Sequence, residues 1–95
     1  MIKILAKSTL KPGSWEKAAP LYRELIEQTR KEEGCIEYSL FIDLADGNKC
    51  CMVETWISEE ALDAHMHSAH FTRILPLLGE YRTAPSEMTK LREFV

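Results

Sequence analysis

Apolar and polar positions alternate at the start of the chain and then change to a helical repeat. In residues 2–10 the even positions are mostly apolar and lysines lie opposite, a period-two pattern that predicts a first strand. Lys11-Pro12-Gly13 has turn chemistry, and Ser14 is placed to cap the next helix. The apolar stripe of that helix is Trp15, Ala18, Tyr22, Leu25 and Thr29. We expect a kink or irregular turn at Pro20 and the end of the helix near Glu33-Gly34.

Two more strands and a second helical region follow. Residues 35–43 have a continuously apolar even face, and residues 49–57 form a partner strand across a turn containing Asp46-Gly47. Ser58 is a candidate cap for a second helix, and Ser68 for a short helical segment that Pro76 and Gly79 disturb or end. Residues 87–95 alternate well enough to predict a last strand.

This order of elements, β-α-β-β-α-β, is that of the ferredoxin-like split βαβ fold, of the α+β class. It predicts one four-stranded antiparallel sheet with both helices on one face, because both crossovers have the same handedness. Strands two and three nevertheless carry apolar residues on both faces, such as Leu40 beside Phe41 and Met52 beside Val53. A monomer would leave one of these faces in water, so we expect a homodimer formed through the uncovered sheet face.

Composition and charge narrow the class of protein. The length of 95 residues suits one domain, which we expect to span residues 1–95. A net charge of −3 with interspersed signs argues against nucleic acid as a partner. No apolar run reaches the roughly 18–20 residues of a membrane span, and the first residues enter a strand pattern without a signal peptide. The three cysteines lack paired spacing, so we expect a cytoplasmic protein that binds no membrane.

The junction of strand three with the second helix is the stretch most suggestive of chemistry. Glu54 and Trp56 leave the strand on one face, and His65 lies on the apolar side of the helix, one turn after Leu62. Because elements joined this tightly must pack on each other, we expect Trp56 and His65 to approach the same interior. An indole and an imidazole there are either core residues or part of a site.

Three stretches of the chain share a pattern with a known family. They are Lys11-Pro12-Gly13, the run Thr-Arg-Lys-Glu-Glu-Gly-Cys-Ile-Glu-Tyr at 29–38, and Glu54-x-Trp56-x-Ser58-x-Glu60-Ala61-Leu62-x-x-His65-x-x-Ser68-x-His70-Phe71. Together they resemble the antibiotic biosynthesis monooxygenase family over almost the whole chain. The resemblance implies a dimeric α+β barrel, in which two ferredoxin-like units meet sheet to sheet. Many members resemble cofactor-independent monooxygenases of quinols and polycyclic phenols, whereas others degrade haem or isomerise the phosphorylated autoinducer-2 sugar.

His65 and Tyr38 are the candidate catalytic residues. The implied reaction needs a base with a pKa near neutral and a hydrogen-bond donor for the substrate oxyanion, inside an apolar pocket. Imidazole titrates near neutral pH, so His65 suits the base, although a core histidine bonded to a backbone carbonyl is an equal alternative. Tyr38 offers a phenol on the apolar face of strand two, with ordinary packing as its alternative.

Four further residues are candidates for contacts with the substrate. Trp56 is either an aromatic wall for a planar molecule or a filler of the core. Glu54 is placed to orient a histidine or to pair with a lysine. His70 and Phe71 begin the second helical segment, where they either close the mouth of a pocket or belong to a surface turn.

No cofactor and no metal are expected from these patterns. On a continuous helix His67 points about 160° away from His65, at 100° per residue, so the histidines would not converge on one ion. Glycine-rich phosphate loops are absent from the sequence. Members of the haem-degrading branch have an asparagine on the first strand and a haem-ligating histidine soon after the position of Phe71. Residues 2–10 contain no asparagine, and Thr72-Arg-Ile-Leu75 follows Phe71, so this branch is disfavoured.

The leading functional hypothesis is therefore a monooxygenase that acts on an aromatic small molecule and O2 without a cofactor. One alternative is an isomerase of a phosphorylated sugar, which needs a cationic recess built from residues such as Lys3, Lys7, Arg30 and Arg73. The other is a non-catalytic dimeric binder of aromatic metabolites. Oxygen uptake and isomerisation assays separate the three.

Overall fold

A four-stranded antiparallel sheet carries three helices in the computed structural model, which describes residues 1–95. The elements in chain order are β1 (Ile2–Thr9), α1 (Trp15–Thr29), β2 (Cys35–Ile42), β3 (Lys49–Trp56), α2 (Glu59–Met66), α3 (Ala69–Gly79) and β4 (Glu87–Leu91). The strand order is β2-β3-β1-β4. The predicted ferredoxin-like α+β fold is confirmed, with the second helical region divided into α2 and α3.

Strand periodicity decides which side chains enter the core. On β3 the even positions are buried, whereas the intervening positions are only partly covered. Ile4 of β1 pairs with Glu54, and Tyr38 of β2 pairs with Glu54 from the other side, so the even positions of all three strands share the helix-covered face. The helices pack over this face: α1 contacts β2 and α3, and α2 contacts β3.

Serine caps explain two of the three helix starts. The amide of Ala61 donates to the Ser58 hydroxyl at 3.1 Å, and the amide of Phe71 donates to the Ser68 hydroxyl at 3.3 Å, as predicted. Ser14 occupies the cap position of α1, but its side chain makes no capping hydrogen bond, so that part of the prediction is wrong. The backbone of Ser14 is helical there, rather than in the extended conformation that capping residues usually adopt.

The first helix differs from its predicted form. Residues Trp15–Thr29 form one α-helix that includes Pro20, so no irregular turn interrupts it. The helix ends several residues before Gly34, and Gly34 instead serves a close approach between chain segments. A Cβ on Gly34 would lie 2.3 Å from the Cβ of Ala61, at the start of α2. Gly13 has a φ of 78°, so the glycine in the predicted turn does use the left-handed region.

The last strand is shorter than predicted. β4 ends at Leu91, which pairs with Lys3 of β1. Continued beyond Leu91, the antiparallel register sets Arg92 opposite Ile2, the first residue of β1, so residues 93–95 lie past the end of that strand.

The other face of the sheet is uncovered and partly apolar. Leu5 and Val53 face each other there across β1 and β3, and Phe41 on β2 is 55% exposed. The sequence thus correctly placed apolar residues on both faces of β2 and β3, and the homodimer stays a prediction. None of the helices has both the length and the apolar character needed to cross a membrane.

Candidate functional site

Glu54 and Trp56 lie side by side at the end of β3, under the helices. The Trp56 indole N–H donates to Oε1 of Glu54 at 2.9 Å, and both residues are buried. Burial raises the pKa of Glu54 to about 7; the indole hydrogen bond opposes this rise and the nearby charge of Glu32 adds to it. The predicted partner of Glu54 was a histidine or a lysine, and the structure corrects this to the indole.

His65 lies in an aromatic enclosure. It projects from α2 and is only 1% exposed. Its ring centroid is 4.6 Å from that of Trp56, 4.7 Å from Phe71 and 5.3 Å from Tyr38. The predicted approach of Trp56 and His65 to one interior is confirmed, and Phe71 and Tyr38 complete the same cluster.

Glu32 fixes the orientation and the tautomer of His65. Nδ1 of His65 lies 2.7 Å from Oε2 of Glu32, in the loop between α1 and β2. Burial lowers the pKa of His65, although Glu32 opposes the change, so the ring is neutral near pH 7. A carboxylate can only accept, so the proton of the neutral ring is on Nδ1 and the lone pair on Nε2. That Nε2 is buried and has no hydrogen-bond partner.

His70 shares the carboxylate with His65. Nε2 of His70 also lies 2.7 Å from Oε2 of Glu32, and 3.2 Å from the Ser68 hydroxyl. The Ser68 hydroxyl in turn donates to the His65 carbonyl at 2.6 Å, where the chain turns between the two helices. The helical-wheel argument therefore holds for His67, which is at the surface, but not for His70, because α2 ends at Met66.

Tyr38 faces the same interior from β2. It is 3% exposed, and burial together with the charge of Glu54 raises the pKa of its phenol, so the hydroxyl keeps its proton. A protonated phenol can donate a hydrogen bond to an oxyanion but cannot act as a base near neutral pH. This is compatible with the predicted donor role.

The site is closed in this conformation. The cleft of about 510 Å³ between the β1, β2 and β3 ends and residues 83–87 contains none of the six candidate residues. A second cleft of about 500 Å³ beside α1 and β2 contains none of them either. Because His65 is 1% exposed, a substrate reaches Nε2 only if neighbouring side chains move. His70 and Phe71 stand at the edge of this cluster and are partly exposed.

Comparison with known proteins supplies the family. The sequence pattern of the family described as "Antibiotic biosynthesis monooxygenase" matches residues 1–76. The chain belongs to the antibiotic biosynthesis monooxygenase family.

Relatives agree with this assignment at moderate identity. The "Putative monooxygenase Rv0793" of Mycobacterium tuberculosis is 31% identical over 90 residues, which cover 95% of this chain and 88% of the relative. The "Probable quinol monooxygenase YgiN" of Escherichia coli is 29% identical over 80 residues, covering 74% of this chain and 77% of the relative. A crystal structure described as an antibiotic biosynthesis monooxygenase superposes with a TM-score of 0.96 at 35% identity, over 100% of both chains. These similarities support a general monooxygenase role.

Glu32 is the site residue that sequence reasoning missed. It stands in the second stretch that resembles the antibiotic biosynthesis monooxygenase family, directly beside Glu33. Loop residues have no periodicity, so nothing in the sequence distinguishes the carboxylate that turns inward from its exposed neighbour. The presence of two carboxylates shortly before a strand that carries Tyr38 was the only available signal.

Proposed function

We propose that this family member is a cofactor-independent monooxygenase that oxidises quinol or polycyclic phenol-type molecules. The observation that supports this proposal is the buried, unpartnered Nε2 of His65, which carries a lone pair because Nδ1–H is held by Glu32. A base already oriented inside an apolar enclosure is what deprotonation of a phenol requires. The name of the Escherichia coli relative adds quinols as the substrate class to test first.

The proposed reaction begins with proton transfer from the substrate hydroxyl to Nε2 of His65. The electron-rich anion then passes one electron to O2, and the substrate radical combines with superoxide to form a peroxide. His65 returns its proton to this peroxide, and loss of water with the hydrogen of the same ring carbon leaves a quinone or, on a ring CH2 group, a ketone. One oxygen atom enters the product, the other leaves as water, and the substrate supplies all the electrons.

The surrounding residues divide the remaining work. Trp56 and Phe71 supply apolar surface for a planar ring, and the phenol of Tyr38 donates to the developing oxyanion. Glu54 holds the indole in place through the hydrogen bond at 2.9 Å. His70 contacts the same carboxylate of Glu32, and 18% of its side chain is exposed.

The isomerase alternative has one observation in its favour and one against. Glu54 is a second proton-transfer group near the enclosure, and its pKa of about 7 suits an acid. The candidate phosphate-binding cations, however, are dispersed. Lys3 pairs with Glu37, Arg73 pairs with Glu24, and the register places Lys3 and Lys7 on the uncovered sheet face. We therefore rank the isomerase second.

Dimerisation and location belong to the same proposal. The apolar uncovered face supports a homodimer, since burying Leu5, Phe41 and Val53 against a second copy removes them from water. The three cysteines have free thiols, as expected in the reducing cytoplasm.

Oxygen consumption tests the proposal directly. Purified protein is mixed with a panel of benzo-, naphtho- and anthra-hydroquinones, and ¹⁸O2 incorporation into the product is measured by mass spectrometry beside the protein-free rate. We expect catalysed uptake with label in the product. Turnover of a phosphorylated pentulose instead would favour the isomerase. Tight binding of aromatic compounds without turnover of either class would favour the non-catalytic binder.

A further inference from the structure

Glu32, His65 and His70 bring three metal-ligand atoms together from three separate parts of the chain. Glu32 is in the loop before β2, His65 is on α2 and His70 is on α3. One oxygen of Glu32 and one nitrogen of each ring all lie within 4.8 Å of one another. Two imidazoles and one carboxylate are the ligand set of many catalytic zinc sites and of mononuclear iron sites.

The spacing is close to what an ion needs. An ion bound at about 2.0–2.2 Å from each donor keeps tetrahedral ligands about 3.3 Å apart. Nδ1 of His65 and Nε2 of His70 each lie 2.7 Å from Oε2 of Glu32. Because this distance is shorter than an ion needs, the donor atoms must separate by a small side-chain rotation when an ion binds. Glu32 and His70 have 19% and 18% exposed side chains, so they can rotate, whereas His65 is held in the core.

The ligand types and the surroundings of the cluster favour a transition metal over Ca²⁺ or Mg²⁺. His65 is enclosed by aromatic rings, while the Glu32 and His70 side chains are 19% and 18% exposed. An ion would enter from the side of these two residues, where water would take the fourth coordination position. Ca²⁺ and Mg²⁺ prefer six or more oxygen ligands, and this cluster offers one carboxylate.

We infer that Glu32, His65 and His70 form a binding site for a divalent transition-metal ion of the Zn²⁺ class. Coordination requires the free lone pair of Nδ1 on His65, so the ring proton moves to Nε2 and no proton is released from that ring. The nitrogen that serves as the base then carries a hydrogen. Metal-bound and base-competent forms of His65 therefore exclude each other.

Direct metal binding tests the inference without any activity measurement. Chelator-treated protein is titrated with Zn²⁺ by calorimetry and with Co²⁺ by visible absorption, which is intense when cobalt is four-coordinate. We expect one equivalent per chain. His70→Ala and Glu32→Gln should each weaken binding by at least about 10–100-fold, the loss that follows removal even of an outer partner of a metal site.

His67→Ala is the matched control, because His67 is on the same helix as His65 but has a 77% exposed side chain. It should bind Zn²⁺ like the natural protein. Circular dichroism establishes that each variant is folded. Equal binding by His70→Ala, Glu32→Gln and the natural chain would overturn the inference, as would the lack of one-equivalent binding by the natural chain. Since no substrate is involved, failure of the proposed oxygenase function would leave this result unaffected.

Discussion

Glu32 and His65 are 33 residues apart in the chain, yet Oε2 of Glu32 accepts a hydrogen bond from Nδ1 of His65 at 2.7 Å. This contact joins the loop before β2 to the buried side of α2. It leaves Nε2 of His65 as an unpartnered lone pair within an aromatic enclosure. The contact therefore turns a histidine that would otherwise be a packing residue into a candidate base.

Replacement of His65 tests that role first. His65→Ala should lower turnover by about 10²–10⁴-fold, the usual contribution of a general base. It should also cost on the order of 1–3 kcal/mol of unfolding free energy, because a buried ring and its hydrogen bond are lost. His67→Ala should change neither value. Normal turnover by folded His65→Ala would exclude His65 as the base.

Glu32 should act as a positioning residue. Glu32→Gln removes the charge that favours Nδ1–H, so turnover should fall by roughly 10–100-fold, equivalent to a charged hydrogen bond of about 1.5–3 kcal/mol. The loss should be in kcat rather than KM, and ¹⁵N spectra of His65 should change from one tautomer to a mixture. Glu33→Gln, at the exposed neighbouring position, is the control. An unchanged tautomer in Glu32→Gln would contradict this role.

Glu54 should make stability depend on pH. Its folded-state pKa of about 7 lies above the ordinary 4.5, so the folded chain holds the proton more strongly than the unfolded chain. Its stabilising contribution is complete below about pH 4.5 and is lost as the pH rises through about 7. In denaturant unfolding across this range, the natural chain should lose on the order of 1–3 kcal/mol of unfolding free energy. Glu54→Gln should not show this loss. If the unfolding free energies of the natural chain and Glu54→Gln change with pH in the same way, the pKa of Glu54 is not raised.

The uncovered sheet face should hold the dimer together. Phe41→Glu and Val53→Glu place a charge on that face rather than in the core beneath the helices, because the register puts both at outward positions. Light scattering at micromolar concentration should give a dimer for the natural chain and a monomer or unfolded chain for each variant. Lys17→Glu, at an exposed position of α1, should remain dimeric. A stable monomer of the natural chain would contradict the proposal that the uncovered sheet face forms a homodimer.

A side chain at Gly34 should destabilise the folded protein. An added Cβ would lie 2.3 Å from Ala61 Cβ and 3.1 Å from a methyl of Ile57, so α2 must shift. Gly34→Ala should cost about 1–3 kcal/mol, as overpacking does. Gly47→Ala, with nothing within 4 Å of its added Cβ, is the control for thermal melting. The second substitution Ala61→Gly should restore part of the loss; if it does not, the contact is not the cause.

Much of the fold follows from the sequence because periodicity reports burial. The even positions of β3 predicted that Glu54 and Trp56 share a face, and Ser58 predicted where α2 begins. The change from the two-residue apolar repeat of β3 to the helical repeat of α2 predicted that His65 lies near Trp56. These are local relationships, and a chain with a strand and helix this close has few ways to satisfy them.

Contacts between distant segments were decided only by the tertiary structure. Glu32 and Glu33 are equivalent in the sequence, and only the packing of the loop against α2 and α3 selects Glu32. His70 joins His65 because the chain turns after Met66, which a helical wheel cannot represent. β4 ends at Leu91 close to the start of β1, where the register leaves only Ile2 as a further partner. Periodicity describes the two faces of one element, whereas a site depends on which elements meet, and long-range packing determines that.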